Sequence, residues 1–442
     1  MKKIFAATVY LLGLNFSMAA ELTVSGPMPG FSGLRTVNIW LQANKPAKVQ
    51  LQYWPRNNKQ LATRSIEKTL SKNNRYIAQF QLTELTPGTR YRYTVYLNKK
   101  AYPFNQALEF NTQALWQWRH DPPNFNVALG SCAYINETAF DRPGKPYGDN
   151  FEIFNAIAEK KPDAMLWLGD NLYFREVDYE HPLAMAKRYR STRAFAPLQT
   201  LLRSTQHYAI WDDHDFGPNN STASFIYKSD SLALFKQYWP NPSFGQPDLP
   251  GVFTRFTLND VEFFLLDDRY YRDSDRGPDS NNKQLFGIAQ LNWVRNALLN
   301  STATFKIVAS GSQLFNDINR FEGWNHFSAE RQQFLTWLKQ SRIRGVFFLS
   351  GDRHHTELLK IDREGSYPLY ELTCSPLTAG TTHSGNDEKG KSSLVTNTLV
   401  SQRNFCRLAF SGSRKDRVMT VAVFNSKGNA LWNRKIPLAE LK

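Results

Sequence analysis

Apolar and polar residues alternate along the first part of the chain, between residues 21 and 113. Four short runs show this alternation: Val37–Leu41, Val49–Tyr53, Tyr76–Leu82 and Tyr91–Tyr96. Alternation puts every second side chain on one face, as in half-buried antiparallel strands. The pattern predicts a small β-sandwich over 21–113. Because this part of the chain contains no His and no acidic cluster, we expect it to serve in support or recognition.

After a linker at 114–124, the pattern changes to continuous apolar runs that alternate with amphipathic segments. The predicted strands are Phe125–Leu129, Ala164–Leu168, Tyr208–Trp211, Phe263–Leu266, Phe305–Ala309 and Val346–Leu349. The predicted helices are Phe151–Lys160, Leu183–Tyr189, Ala289–Leu299 and Ala329–Gln340. This alternation is typical of an α/β domain whose sheet is covered on both faces. We predict one such domain over 125–442, ending in a β-hairpin made by Val418–Phe424 and Ala430–Ile436.

Polar groups follow the end of each of these buried strands. The segments are Gly130-Ser131-Cys132, Gly169-Asp170-Asn171-Leu172-Tyr173, Asp212-Asp213-His214-Asp215, Asp267-Asp268-Arg269-Tyr270-Tyr271-Arg272, Ser310-Gly311-Ser312-Gln313 and Gly351-Asp352-Arg353-His354-His355. In α/β sheets, ligands bind in the crevice outside the carboxyl ends of the strands. We therefore expect these segments to form one site.

The residue types in these segments favour metal ions. Asp212, Asp213 and Asp215 are three carboxylates within four residues, and Asp170 and Asp352 are expected to join them. Gathering like charges costs several kcal/mol unless cations neutralise them. Carboxylates suit calcium, magnesium or manganese, whereas thiolate, phenolate and imidazole suit iron or zinc. A mixed set predicts two different ions, the arrangement that clamps the attacking and leaving oxygens in phosphoryl transfer.

Two arginines near the end of one strand are candidates for binding a phosphate. The guanidinium groups of Arg269 and Arg272 match the geometry of a tetrahedral anion. The alternative is a salt bridge to Asp267 or Asp268, which is a common structural pairing.

The N-terminus and the net charge suggest an exported protein with an anionic partner. Lys2 and Lys3 precede the apolar run Ile4–Leu14, and small residues precede Glu21. These features predict a Sec-type signal peptide at 1–20 and a periplasmic or secreted location, with an uncleaved anchor as the alternative. We expect no transmembrane span in the mature chain. The net charge of +15 falls to +13 without Lys2 and Lys3, which favours phosphate compounds or other anions as partners unless it serves only solubility.

The chain has three cysteines, too few for a disulfide scaffold. Cys374 and Cys406 are candidates for pairing in an oxidising compartment, although their spacing alone does not establish the geometry. The odd number leaves at least one thiol for another role.

Taken together, these segments resemble the PhoD-like alkaline phosphatases, also called the alkaline phosphatase D family, of the metallophosphatase superfamily. The resemblance rests on Gly130-Ser131-Cys132, Leu168–Tyr173, Trp211–Asp215, Leu266–Arg272 and Ser350–His354, which occur in the family's order. It implies an α/β/β/α sandwich of the metallophosphatase type, preceded by a fibronectin III/Ig-like β-sandwich.

The resemblance also implies Fe³⁺ and Ca²⁺ as cofactors, with Mn²⁺, Mg²⁺ or Zn²⁺ as substitutes. It assigns Cys132, Tyr173 and His354 to iron, Asp170 to both ions, Asp213 and Asp352 to calcium, and His214 and Arg269 to the reacting phosphate. We assign Arg272 and Asn171 to substrate binding as well. Asp215 stands where the family commonly has Glu, and the choice between Asp212 and Asp213 as a ligand stays open.

The expected activity is the hydrolysis of phosphate monoesters, diesters or both, by attack of a metal-activated hydroxide or oxide. The expected partner is a small or polymeric phosphate ester, with no obligate protein partner. One alternative is a diesterase specialised for nucleic acid, phospholipid or teichoic-acid-like polymers. A less favoured alternative is a non-catalytic surface-binding protein, which would be expected to have lost at least one ligand. The helix that covers the site at the C-terminus of family members is not evident, because this chain ends in a strand pair.

Overall fold

The computed structural model describes residues 21–318, 321–381 and 386–442. The predicted signal peptide at 1–20 lies outside the described residues. Among the residues that are described, no helix is long and apolar enough to cross a membrane.

The first part of the chain forms two sheets that face each other. Its strands are β1 (Val24–Ser32), β2 (Val37–Ala43), β3 (Ala47–Pro55), β4 (Thr63–Arg64), β5 (Lys68–Leu70), β6 (Ile77–Leu82), β7 (Arg90–Leu97), β8 (Lys100–Ala101) and β9 (Leu108–Asn111). One sheet has the order β1-β2-β6, and the other has the order β4-β3-β7-β8 with β5 and β9 on its flanks. The alternating side chains of β2, β3 and β7 meet between the sheets in one apolar core. The predicted β-sandwich is therefore present.

The second part contains the remaining strands and helices. Its strands are β10 (Phe125–Gly130), β11 (Ala164–Leu168), β12 (Gln206–Ile210), β13 (Thr254–Leu258), β14 (Val261–Leu265), β15 (Phe305–Ala309), β16 (Val346–Ser350), β17 (Glu357–Arg363), β18 (Ser366–Thr373), β19 (Asn404–Ser411), β20 (Val418–Asn425) and β21 (Ala430–Pro437). Its helices are α1 (Ile153–Glu159), α2 (Pro182–Ala194), α3 (Gln199–Ser204), α4 (Asp213–Phe216), α5 (Lys228–Tyr238), α6 (Ile288–Asn300), α7 (Ser328–Gln340) and α8 (Asn386–Lys389).

These strands form two six-stranded sheets, ordered β12-β11-β10-β19-β20-β21 and β13-β14-β15-β16-β18-β17. Strands β10 to β12 run parallel in the first sheet, and β14, β15, β16 and β18 run parallel in the second. One core cluster contains side chains from both sheets, so the sheets pack face to face. Helices cover the outer faces, which gives the α/β/β/α sandwich expected from the resemblance.

The continuous apolar runs are explained by this layering. In β11, Ala164, Leu166 and Leu168 point into the core between the sheets. Met165 and Trp167 point the other way and pack with the outer helices. Because both faces of the strand are buried, no polar position interrupts the run.

A disulfide joins the two central sheets. Cys374 follows β18 and Cys406 lies in β19, and their sulfur atoms are bonded across a Cα–Cα distance of 6.1 Å. The pairing that the sequence left open is therefore made, and Cys132 is a free, buried thiol.

The β-sandwich packs directly on the second domain. The Trp40 indole donates to the carbonyl of Gln237 at 3.0 Å, and the Gln42 amide donates to the Tyr238 hydroxyl at 3.1 Å. Met28 and Trp40 belong to the same buried cluster as residues of α1, α2 and α5. The two parts of the chain thus share one apolar core.

Candidate metal centre

The carboxyl ends of strands from both central sheets meet at one place. Cys132 follows β10, Asp170 follows β11, Asp213 begins α4 just after β12, and His354 follows β16. The first three come from one sheet and His354 from the other. The predicted convergence of strand-end groups is therefore observed, and it occurs across the two sheets.

Cys132, Asp170 and His354 form a first group, in which one ligand atom from each lies within 4.8 Å of the others. The Cys132 Sγ is 3.6 Å from Asp170 Oδ2. The Tyr173 hydroxyl lies 3.2 Å from His354 Nε2, so the phenol faces the same space. A thiol, a carboxylate, an imidazole and a phenol thus converge.

Asp170, Asp213 and His214 form a second group with the same spacing. Asp170 belongs to both groups. Its Oδ1 accepts a hydrogen bond of 3.2 Å from the His214 main-chain N–H, while its Oδ2 faces Cys132. One carboxylate therefore stands between the two sets of donors.

Hydrogen bonds orient the first group. His354 Nδ1 lies 2.5 Å from the carbonyl oxygen of Gly380, which fixes the ring proton on Nδ1 and makes Nε2, which faces the Tyr173 hydroxyl, the acceptor atom of the ring. The Ser375 hydroxyl donates to Cys132 Sγ at 3.1 Å and accepts from the His354 main-chain N–H at 3.0 Å. Ser375 thus links two of the predicted ligands.

Four residues of the centre have a left-handed main chain. The φ angles are 58° at Cys132, 52° at Asp170, 63° at Asp352 and 55° at His354. Non-glycine residues rarely adopt positive φ, and those that do concentrate at functional sites. At each of these residues the main chain turns just past the end of a strand, and this turn changes the direction of the side chain.

Glycines let these turns approach one another. Gly169 has a φ of 91°, and a Cβ there would lie 2.7 Å from the Cβ of Asp212. A Cβ on Gly351 would lie 2.4 Å from the carbonyl oxygen of Leu168, which belongs to the other sheet. These contacts explain why a glycine precedes the ligand in both segments.

Burial and like charge raise the pKa values of the carboxyls. Burial and the neighbouring Asp213 hold the pKa of Asp170 well above its usual range. Burial, followed by the charge of Glu322, raises the pKa of Asp352 to about 6. Burial also raises the pKa of the Cys132 thiol to about 11. Each of these shifts opposes ionisation, and each is of the kind that a cation reverses.

The residues present fit metal ions. Asp213 Oδ1 is buried and has no hydrogen-bond partner in the described structure, and it lies in the second donor group. Its nearest cationic group is the Arg269 guanidinium at 4.0 Å, beyond hydrogen-bond distance, and a buried carboxylate oxygen without a hydrogen bond is costly unless a cation lies closer. The first group offers soft and nitrogen donors, and the second offers mainly carboxylates, so the donor chemistry differs as predicted.

Asp352 lies near both groups but belongs to neither of those formed by the described residues. Its main-chain carbonyl accepts from Cys132 Sγ at 3.5 Å. Its assignment to calcium stays a prediction. Of the neighbouring pair that the sequence left open, Asp213 lies in the second group, whereas Asp212 pairs with Arg269.

Arg269 and Arg272 are fully buried and share an acidic partner that the sequence did not suggest. The Arg269 guanidinium donates two hydrogen bonds to Glu322, at 3.0 and 2.8 Å, and also forms an ion pair with Asp212. Arg272 contacts Glu322 at 3.2 Å and Asp275 at 2.7 Å. The partners Asp267 and Asp268 are wrong, but the alternative of structural salt bridges is observed, because Asp212, Glu322 and Asp275 supply the carboxylates. Glu322 follows no strand and lies outside every quoted motif, so no sequence signal identifies it.

Asn171 and Asp215 serve to hold the turn. The Asn171 amide nitrogen donates to Asp215 Oδ2 at 2.6 Å and to the carbonyl of Ile210 at 2.7 Å. Asp215 also accepts from the main-chain N–H groups of Asp170 and Asp212. Both amide hydrogens of Asn171 are therefore taken, and its contact with substrate stays a prediction that this geometry does not favour.

A third buried cluster consists of His355, Glu357 and Glu388. One ligand atom from each of these residues lies within 4.8 Å of the others, which is close enough to hold a metal ion. Lys391 pairs with both glutamates, and Arg353 pairs with Glu388. Because two cationic side chains already balance the two carboxylates, we interpret this cluster as an ion-pair network.

Comparisons with solved structures show the fold. A structure of PhoD matches with a TM-score of 0.74 and 15% identity, over 93% of this chain and 91% of that one. A purple acid phosphatase from yellow lupin (Lupinus luteus) matches with a TM-score of 0.68 and 10% identity, over 94% of this chain and 74% of that one.

Comparisons of sequence show the family. Alkaline phosphatase D from Bacillus subtilis (strain 168) is 23% identical over 254 residues, which is 46% of this chain and 43% of the relative. The match thus spans less than half of that relative's length. Residues 20–114 match a domain of unknown function, DUF7800. Residues 128–416, more than half of the chain, match the model of the PhoD-like phosphatases. The chain therefore belongs to the PhoD-like phosphatase family.

Proposed function

We propose that this protein is an exported phosphoesterase that uses Fe³⁺ and Ca²⁺ to hydrolyse phosphate monoesters, diesters or both. The observation that carries the proposal is the position of Asp170, which lies in both donor groups. A shared carboxylate is the feature that a two-metal phosphoesterase requires.

Cys132, Tyr173 and His354 would hold the iron, and Asp213 and Asp352 would hold the calcium, with Asp170 contributing to both. Thiolate, phenolate and imidazole suit iron, whereas carboxylates suit calcium. Bound at these residues, the ions would activate a water molecule and offset the negative charge of the phosphoryl group.

The chain's own groups would position the ester and move a proton. The His214 ring lies in the second group and packs against the Tyr173 ring, with 4.2 Å between centroids. That contact fixes the ring, so its N–H can donate to the oxygen that leaves. Glu322 forms ion pairs with both Arg269 and Arg272. The two guanidinium groups can therefore bind the phosphoryl oxygens only if these ion pairs break. We expect substrate binding to displace this carboxylate.

The test is hydrolysis of para-nitrophenyl phosphate and its bis ester by purified protein reconstituted with iron and calcium. We expect release of para-nitrophenol from at least one ester, and a chelator should abolish it. The ratio of the two rates separates monoesterase from diesterase activity. Protein that stays metal-free and inactive after reconstitution would contradict the proposal.

Export is tested separately by expressing the full chain and comparing the mass of the mature protein with the sequence. Cleavage before Glu21 in the extracytoplasmic fraction is expected. Full-length protein in the cytoplasm would rule out export and would leave the chemistry untouched.

A further inference from the structure

Two half-exposed aromatic side chains contact the turn that carries His354. The exposed fraction is 44% for Tyr147 and 43% for Phe321. The Tyr147 hydroxyl lies 3.0 Å from His354 Nδ1. The Phe321 ring lies 4.1 Å from the guanidinium of the preceding residue, Arg353. Tyr147 therefore borders a predicted metal ligand, Phe321 lies against the residue that precedes this ligand, and both rings reach solvent.

The Tyr147 ring is held firmly. The Gly380 main chain lies against it, because a Cβ on Gly380 would come within 2.4 Å of Tyr147 Cε2. Tyr134 meets it edge to face, with 4.9 Å between ring centroids. Arg403 donates to the Tyr147 carbonyl at 3.0 Å. A fixed ring that is still 44% exposed offers a flat binding surface at little entropic cost.

Phe321 is anchored through its neighbour. Glu322 accepts two hydrogen bonds from Arg269. Arg269 also pairs with Asp212, the residue before Asp213 of the second donor group. The Arg353 guanidinium faces one side of the Phe321 ring, which is a cation–π contact. In the structure without substrate, the ring is thus placed beside the centre by two charged contacts. The contact with Arg353 does not depend on Glu322 and can hold the ring when substrate displaces that carboxylate.

Ligand sites are lined mainly by hydrophobic and aromatic side chains beside a few polar groups, which is the setting of these two rings. Aromatic groups pair with one another in offset or edge-to-face geometry, which an aliphatic group cannot reproduce. In the proposed function, the metal ions and the arginines bind the phosphate end of a substrate. Because Tyr147 contacts His354 and Phe321 contacts Arg353, the two rings are the exposed aromatic groups next to this turn that could contact the alcohol end.

We propose that Tyr147 and Phe321 bind the alcohol group of the substrate and select phosphate esters whose alcohol carries an aromatic ring. This inference rests on the proposed function and names its substrate class. Two sources share that chemistry, namely simple aromatic alcohols and the bases of nucleotides.

The experiment compares two esters with similar leaving groups, benzyl phosphate and n-butyl phosphate, using the metal-loaded full chain. The measured quantity is the ratio of their kcat/KM values, which cancels changes in the metal centre itself. We expect wild type to favour benzyl phosphate. Tyr147→Leu and Phe321→Leu should each lower the ratio by about three- to tenfold, mainly through KM, as expected for the loss of an aromatic pair.

Two variants serve as controls. Tyr147→Phe keeps the ring and should keep the ratio, even if both rates change. Trp118→Leu removes an aromatic side chain that is 94% exposed on the linker, away from the centre, and should also keep the ratio. A second pair, adenosine 5′-monophosphate and ribose 5-phosphate, distinguishes the sources. A preference in that pair that Tyr147→Leu abolishes identifies a nucleotide base, and a preference in the benzyl pair alone identifies simple aromatic esters.

Equal rates within both pairs for wild type, or ratios that persist in both leucine variants, would overturn the inference while leaving the phosphoesterase intact. If wild type hydrolyses none of these monoesters, the same ratios are measured with the methyl diesters of the four phosphates, and failure with both sets would instead count against the proposed function.

Discussion

We propose that the thiol of Cys132 decides which ion the first donor group prefers. It is fully buried, and it receives hydrogen bonds from Ser375 and faces Asp170. Most buried cysteines act as small apolar side chains. This one has a left-handed main chain and points at a carboxylate and an imidazole, which a packing role does not require.

Replacing Cys132 by Ala or Ser therefore tests its role directly. We expect at least about a 100-fold loss of activity, since loss of an outer partner of a metal ligand alone costs 10–100-fold. The iron content and any visible tyrosinate-to-iron absorption should fall as well. Circular dichroism should show that the fold persists. Unchanged activity and iron content in Cys132→Ser would mean that the thiol is structural.

A second residue, His207, predicts how stability depends on pH. It is fully buried in β12, accepts from the Trp167 indole at 3.0 Å and contacts the carbonyl of Leu201 at 3.2 Å. Burial lowers the pKa of His207 to about 3, against an ordinary value of 6.5. Between these two pKa values the unfolded chain binds a proton that the folded chain excludes. Acidification below about pH 6.5 must therefore reduce the contribution of His207 to stability, whereas buried carboxyls with raised pKa values, such as Asp352, contribute in the opposite direction.

The expected loss from this group is at most about 1.4 kcal/mol per pH unit between pH 6.5 and 3. His207→Asn removes the titration and keeps an acceptor for Trp167. Urea denaturation at several pH values measures the slope for both proteins. The variant should lose less stability on acidification, and identical slopes would contradict this explanation.

At this scale the sequence identifies a residue when it follows a buried strand. Cys132, Asp170, Tyr173 and His354 were all found in that way. Glu322, Ser375 and Gly380 were missed, because their roles depend on where irregular segments fold back in space. A hydroxyl that binds a thiol across 243 residues leaves no local pattern.

At the scale of elements, the disulfide links β18 and β19 and so joins the two central sheets. Its neighbour Ser375 binds the Cys132 thiol, so the bridge lies directly behind the first donor group. The loop that it closes spans 32 residues, and restricting a loop of that size in the unfolded chain stabilises the fold by about 3–4 kcal/mol.

The double variant Cys374→Ala/Cys406→Ala should lower the free energy of unfolding by about that amount. Urea denaturation measures it, and the effect of a reductant provides the comparison. Wild type unfolded with reductant should match the double variant, which should itself be insensitive to reductant. A midpoint that neither change moves would mean that the bridge does not form.

The predictability of each element follows from its pattern. β11 and β15 match their predicted bounds, because their mainly apolar runs, interrupted in β15 only by Lys306, end at Gly169 and Ser310. β1 was missed because its Pro and Gly residues are unfavourable in strands, and it is stabilised by pairing with β2. β17 to β19 were missed because polar residues such as Glu371 interrupt their apolar pattern. Glu371 is nonetheless buried, where it accepts from the main chain of Leu314 and Phe315.

At the scale of the whole molecule, the β-sandwich and the α/β/β/α domain share a buried cluster that contains Trp40. A Cβ on Gly30 would lie 2.3 Å from Pro240, so the two parts approach at main-chain distance. The sequence separated the two parts by composition, but it gave no sign of how closely they pack. Such contacts couple the unfolding of one part to that of the other.

We therefore expect a single unfolding transition in differential scanning calorimetry. Trp40→Ala should destabilise the whole protein by about 3–5 kcal/mol, as large core truncations do. The exposed Trp118→Ala should leave the transition in place. Two separate transitions in wild type would show that the parts unfold independently.

The central claim is that Asp170 connects two metal ions in one centre. The most direct test is the metal content of purified wild type and Asp170→Asn, measured by mass spectrometry after reconstitution with iron and calcium. Wild type should retain about two ions per chain, as a two-metal phosphoesterase does. Asp170→Asn should lose both, because its carboxylate belongs to both donor groups. A wild-type protein that binds neither ion, or an Asp170→Asn protein that retains both, would contradict this account.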